Sequence, residues 1–150
     1  MATKEEVSEF LSQKTLAVVG VSRSREKFSN GVYRELKAKG YRVFPVNPNA
    51  ETVEGDRCYP NLGALPEPVG GAVVIVPRAE VENVVKDVAQ AGIRRVWIQQ
   101  QSETKAAIQY CEANGISVIY NECVLMFAEP SAFFHKMHRF VWGVAGKLPK

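Results

Sequence analysis

The residues best suited to chemistry gather in one short stretch, Gly20-Val21-Ser22-Arg23-Ser24-Arg25-Glu26-Lys27. Ser22 and Ser24 carry hydroxyls that can donate to phosphate oxygens. Arg23, Arg25 and Lys27 put three cations within five residues, and charged donors make the strong hydrogen bonds to anions. Gly20 lets the backbone turn and approach a ligand closely. A helical pattern follows, and the free N–H groups of a helix N-terminus attract anions. A solvated basic loop is the plain alternative; the place of this loop in the fold favours the phosphate reading.

Several better-known chemistries are excluded by spacing. A dinucleotide fingerprint needs glycines where Ser22 and Arg25 stand. The acid that would bind a ribose at the end of the second strand is missing, since Val46-Asn47-Pro48 occupies that place. There is no Gly-Lys-Ser/Thr phosphate loop and no G-x-S-x-G nucleophile elbow. His135 and His138 share a face of the last helical segment without a companion carboxylate or Cys, so they receive no catalytic role. Cys58, Cys111 and Cys123 show neither metal-ligand spacing nor a disulfide framework. Cys58 and Cys123 lie near strand ends, but buried inert thiols are the commoner outcome, and Glu122 would disfavour a thiolate at Cys123. No catalytic and no metal residues are assigned.

Two proline punctuations flank the basic loop in the pattern. Val43-Phe44-Pro45-Val46-Asn47-Pro48 and Val76-Pro77-Arg78 end apolar runs with residues that fix the backbone and remove donors. Such rigid apolar loop ends make walls for a flat heterocycle or a thin flexible arm.

The elements that must position these groups follow from periodicity. Thr3 and Glu6 form a capping box ahead of Val7, Phe10 and Leu11. Apolar runs at residues 15–19, 41–46, 71–76, 95–98 and 117–120 read as strands buried on both faces, the most apolar, 71–76, being central. Helical patterns at 30–39, 79–91 and 103–114 alternate with them and stop at Gly40, Gly92 and Gly115. A short strand near Arg57-Cys58 interrupts the Pro/Gly-rich segment 48–70, and a helix is expected at 131–146; Trp97, inside the strand pattern at 95–98, is expected in the core. The alternation predicts an α/β fold, a Rossmann-like, doubly wound, mostly parallel sheet with helices on both faces. In such sheets ligands bind beyond the carboxyl ends of the strands. The loops there are residues 20–29, 47–49, 77–78 and 99–102.

Composition sets the outer limits. The chain has 150 residues, 46% hydrophobic and 23% charged, enough for one domain and not for a two-domain enzyme. Nineteen Lys and Arg against sixteen Asp and Glu give +3, too mild to announce a nucleic-acid partner. There is no 18-residue apolar run, and residues 1–10 are charged rather than signal-like, so a reduced, cytoplasmic protein is expected. Residues 1–127 should form the domain and 128–150 a helical extension packed on it. The aromatic face of that extension suits core, a homodimer seam or a protein partner better than a membrane.

Four motifs in order, Ala17-Val18-Val19-Gly20-Val21-Ser22, Gly40-Tyr41-Arg42-Val43-Phe44-Pro45-Val46-Asn47-Pro48, Cys58-Tyr59-Pro60 and Val96-Trp97-Ile98-Gln99, resemble the small stand-alone CoA-binding domain family. That family is similar to the N-terminal CoA-binding domain of the succinyl-CoA synthetase α subunit, and the resemblance covers about residues 10–127. It implies coenzyme A (CoA) or acyl-CoA held across the strand ends. Gly20, Ser22, Ser24 and Arg25 would meet the phosphates, with Val21, Arg23 and Lys27 of the same loop also counted among the cofactor-binding residues. Val46, Asn47 and Pro48 would line the nucleotide side, Val76, Pro77 and Arg78 the neighbouring wall, with Ile98, Gln99 and Gln100 approaching from the next loop. One departure stands out: many relatives carry Lys where this chain has Asn49, and Arg23 or Lys27 would substitute for it. The leading expectation is a non-catalytic CoA or acyl-CoA binding protein, carrier or sensor. An NAD(P)-linked redox or nucleotide-dependent domain is the alternative, and a regulatory subunit with a decayed pocket is the third.

Overall fold

Thr3 accepts from the Glu6 amide at 3.1 Å and the Glu6 carboxylate accepts from the Thr3 amide at 3.0 Å, so the capping box forms as expected. It opens α1 (Lys4–Leu11) in a computed structural model that describes residues 3–126. The chain continues through β1 (Thr15–Val19), α2 (Phe28–Ala38), β2 (Arg42–Val46), β3 (Thr52–Val53), β4 (Asp56–Arg57), β5 (Gly71–Val74), α3 (Arg78–Gln90), β6 (Arg95–Ile98), α4 (Lys105–Ala113) and β7 (Ser117–Ile119). Short 3₁₀ turns lie at Leu62–Ala64 and Val124–Met126.

Five strands form one parallel sheet in the order β2-β1-β5-β6-β7. The alternation of side chains along each strand sorts the core into two layers. Leu16, Val18, Val73 and Trp97 pack with Phe10 of α1 and with Val32 and Leu36 of α2. Ala17, Val19, Ala72, Val74, Val96 and Ile98 pack with Val81, Val85 and Val88 of α3 and Ala107 and Cys111 of α4. Both strand faces are therefore buried, which is why the strands read as continuous apolar runs. Each buried Val or Leu contributes roughly 1.5–3 kcal/mol, so the two layers supply most of the cohesion.

The doubly wound parallel architecture, the central place of the 71–74 run and the core role of Trp97 agree with the sequence reading. Several boundaries move for local reasons. α4 starts at Lys105 because the Thr104 hydroxyl accepts the Ala107 amide at 3.1 Å and so caps the helix. The expected single strand near Arg57-Cys58 is an antiparallel hairpin of β3 and β4, with Cys58 outside it. Glu54 (φ 51°) and Gly55 (φ 77°) make its two-residue turn, the backbone that hairpin twist prefers. The expected helix at 131–146, the extension 128–150, His135 and His138 lie outside the described residues. Among the described residues no helix is long and apolar enough to cross a membrane.

Trp97 anchors the layer under α1 and α2. It is fully buried, meets Phe10 edge-on at 5.4 Å, and its indole N–H donates to the Glu122 carbonyl at 2.9 Å. Trp97→Ala should cost about 3–5 kcal/mol. Urea unfolding followed by far-ultraviolet circular dichroism checks this; a loss under 1 kcal/mol would contradict it.

Candidate functional site

The strand order places β1 between β2 and β5. The chain leaves β1 for α2 on one face and leaves β5 for α3 on the other, so the two loops diverge. A crevice opens where they part, as doubly wound sheets require. Its volume is about 380 Å³. Gly20, at the end of β1, makes the parting possible. Its φ is +108°, and a Cβ there would collide with the Ile75 carbonyl oxygen and sit 3.2 Å from Val76 Cγ1. Only glycine allows the backbones to lie this close. The Gly20 amide donates to the Val46 carbonyl and the Ile75 amide to the Val19 carbonyl, both at 2.9 Å.

The crevice walls are apolar and stiff: Val46, Pro48, Pro60, Val76, Pro77 and Val84. Its rim carries the amides of Asn47, Asn49, Asn61 and Asn83 and the carboxylates of Glu80 and Asp87. Asp87 Oδ2 accepts the Leu62 amide at 3.0 Å, which fixes that carboxylate. Among the described residues no basic side chain lines the crevice. Asn47 braces the wall from beneath: its Nδ2 donates to the Val21 carbonyl at 2.8 Å while its Oδ1 accepts the Asn49 amide at 2.8 Å.

The cations stand beside the crevice, in the loop before α2. Asn30, fully buried, shapes that loop. Its Oδ1 accepts the Ser22 amide at 2.8 Å and its Nδ2 donates to the Ser22 carbonyl at 2.7 Å. Ser22 Oγ accepts the Ser24 amide at 3.0 Å. Glu54 reaches in from the hairpin, taking Asn30 Nδ2 at 2.8 Å, Arg34 Nη1 at 2.8 Å and Arg25 Nε at 3.4 Å. The Asn30 hydrogen bond, then the Arg34 hydrogen bond and the Arg34 and Arg25 charges, hold the Glu54 carboxyl below its ordinary value, against a smaller opposing effect of burial. Arg25 thus shares its charge internally, whereas Arg23 and Lys27 are exposed and make no ion pair among the described residues. Lys27 is the N-cap of α2 and places no side chain on the first helical amides; the Asn30 amide turns back to the Lys27 carbonyl at 3.1 Å, which leaves those of Phe28 and Ser29 for an anion.

The expected site residues divide accordingly. Gly20, Val46, Asn47, Pro48, Val76 and Pro77 converge on the crevice, and Ser22, Arg23, Ser24, Arg25 and Lys27 form the adjoining loop. Others go elsewhere. Val21 and Ile98 are fully buried core residues, and neither lines the crevice. Gln99 is buried, with its Oε1 accepting the Val124 amide at 3.2 Å, so it fastens the end of β6 to the segment after β7. Arg78 Nε donates to the Glu103 carbonyl at 2.9 Å, turned toward the neighbouring loop, and Gln100 is exposed. Asn30, Glu54, Asn61, Asn83, Glu80 and Asp87 were not anticipated. The helical period around residue 83 places Glu80, Asn83 and Asp87 on one face, a signal that a reading centred on strand ends passes over.

The thiols suit packing. Burial pushes Cys58 up and Cys111 up to about 11, with Glu112 adding to the latter. Burial also pushes the Glu122 carboxyl up. Among the described residues no group of three His, Cys, Asp or Glu could hold a metal ion.

The geometry is that of a doubly wound α/β domain with a crevice at the point where its two halves part. Residues 14–129 match the CoA binding domain family, and the chain belongs to that family. ADP-forming acetate–CoA ligase II of Archaeoglobus fulgidus is 36% identical over 83 residues, which cover 54% of this chain. The chain spans only 12% of that ligase. The uncharacterized protein YneT of Bacillus subtilis is 26% identical over 123 residues, covering 81% of this chain and 91% of YneT. A hypothetical protein of Pyrococcus horikoshii OT3 superposes with a TM-score of 0.77 at 30% identity, over 82% of this chain and 87% of that one.

Gly20→Ala should destabilise the fold by about 3 kcal/mol through combined strain and overpacking, seen as a lower urea midpoint with unchanged slope. A neutral effect would mean the β1–β5 approach is looser than described. The Glu54 carboxyl predicts an acid response of definite sign. Because its folded pKa is depressed, its stabilisation is present above the ordinary value of 4.5 and is lost as pH falls through the lowered folded value. Glu54→Gln should therefore flatten the fall in urea midpoint between about pH 5 and about pH 3. Asp56, held low by Lys37 and then Tyr33, leaves part of that slope in place.

Proposed function

We propose that this chain binds CoA or an acyl-CoA, as a carrier or sensor, without bond chemistry of its own. The observation that carries the reading is the juxtaposition of two unlike surfaces: an apolar, proline-walled crevice and a cationic loop beside it. CoA has the same division, an uncharged heterocycle and arm joined by phosphates. Proline and valine walls suit the flat ring or the thin arm, and the rim amides and the Glu80 carboxylate accept or donate to amine and amide groups. Ser22, Ser24, Arg23 and Lys27, with the open amides of α2, suit the phosphates. Arg25 joins them to the extent that it leaves Glu54. Membership of the CoA binding domain family supports the ligand class. The ligase relatives are named for forming a CoA product, and this chain is similar to a small part of them.

NAD(P) is the poorer fit. Asn47 stands where a ribose-binding acid would, and its side chain is committed to the Val21 carbonyl and the Asn49 amide.

Thermal denaturation with CoA, acetyl-CoA, NAD and NADP tests the reading. A ligand at a hundred times its dissociation constant adds about 2.7 kcal/mol, a visible shift. CoA and acetyl-CoA should stabilise and the nicotinamide cofactors should not; CoA inert at millimolar concentration while NADP stabilises would sink the proposal. Arg23→Ala with Lys27→Ala should weaken CoA roughly five- to tenfold, and more steeply at low salt. A larger loss for CoA than for dephospho-CoA assigns these cations to the 3′-phosphate, and an equal loss to the pyrophosphate.

A further inference from the structure

We propose that Glu54 is a positioning residue for the anion-binding loop, acting through Asn30 and without touching the ligand. Only the ligand in this statement rests on the function proposed above; the positioning rests on the ligand-free geometry.

The chain of contacts is continuous. Ser22 lies in the loop, and both of its backbone groups are taken by one side chain, that of Asn30. A single amide that accepts from an N–H and donates to the C=O of the same residue fixes the orientation of both adjoining peptide planes. The orientation of Asn30 is itself determined. The Ser22 amide is a donor and must face Oδ1, and the Glu54 carboxylate is an acceptor and must face Nδ2. Remove the carboxylate and the second Nδ2 proton has no acceptor in a fully buried place. The amide must then turn or open toward water, and either movement releases Ser22.

The hairpin holds Glu54 ready for this task. Glu54 meets Asn30 and Arg34, one turn apart on α2, while Asp56 meets Tyr33 at 2.6 Å and Lys37 at 2.7 Å, the next such pair. The β3–β4 ribbon therefore lies along α2, fastened at two rungs, and only the upper rung touches the loop. Arg34 adds a direct tie, donating to the Arg25 carbonyl at 3.2 Å while it holds Glu54. The residue that shapes the phosphate side of the site thus sits more than twenty positions further along the chain.

Glu54→Ala, Glu54→Gln and Asp56→Ala separate positioning from general support. Two readouts are taken: amide hydrogen exchange of residues 21–25 in the ligand-free protein, and the dissociation constant for CoA. Glu54→Ala should speed exchange in that loop and weaken CoA about tenfold or more, the scale of losing one charge-assisted hydrogen bond in place. Glu54→Gln keeps an acceptor for Asn30 and should restore both readouts to near the unaltered protein. Asp56→Ala makes the same truncation on the same hairpin at the lower rung, and should lower the melting temperature without moving either readout. Loop exchange unchanged in Glu54→Ala overturns the proposal, as does an equal effect of the two alanine variants. If the unaltered protein binds no CoA, the proposed function fails and the exchange readout alone decides for or against the positioning role. Should Glu54→Ala not fold, Glu54→Asp replaces it. The shorter side chain draws the carboxylate back from Asn30 Nδ2, so exchange in residues 21–25 should rise; unchanged exchange overturns the proposal.

Discussion

The close approach of Gly20 to the Ile75 carbonyl is the constraint on which the ligand end of the molecule depends. Parallel strands joined through helices on opposite faces must part at one place, and here that place is between β1 and β5. The parting yields a usable crevice only if the two backbones stay in contact until the last residue of each strand. Any side chain at position 20 would push β5 away or close the opening. The neighbouring prolines then line a gap that the glycine has made.

Around that gap the loops are held by side chains bonded to backbone rather than by secondary structure. Asn47 supports the loop after β1, Asn30 fixes Ser22, Asp87 holds Leu62, and Gln99 fastens the segment after β7. Each is a polar group, buried or partly buried, with its hydrogen bonds directed to a defined partner, and such networks specify one geometry because the unpaired alternatives are costly. The rigid surround is what lets a small domain present a shaped crevice and a charged loop at once.

The division of the site into an apolar crevice and a separate cationic loop has a physical basis. Cations inside a narrow apolar crevice would lose hydration without gaining a partner until a ligand arrived. Placed in the loop that follows Gly20, Arg23 and Lys27 stay hydrated, and α2 offers its first amides beside them. Arg25 and Arg34 are drawn partly inward only because Glu54 accompanies them. The chain is similar both to a small part of a much larger ligase and to nearly the whole length of YneT.

Much of this was written in local patterns. Five apolar runs separated by amphipathic segments are enough to determine a doubly wound parallel sheet, because burial on both faces leaves no other reading of such runs. The basic loop, Gly20 and the two Pro-ended strands were legible for the same reason: type and spacing along the chain carry their meaning. What only the tertiary structure decided is which side chains face the ligand and which serve as braces. Gln99 and Ile98 sit in the expected loop and strand end, yet one turns to Val124 and the other into the core. Asn30 and Glu54 looked like ordinary polar residues of a helix and a turn. Their partnership spans 24 positions, and hydrogen bonds across such distances leave no periodic trace, since they depend on where two separately folded elements come to rest.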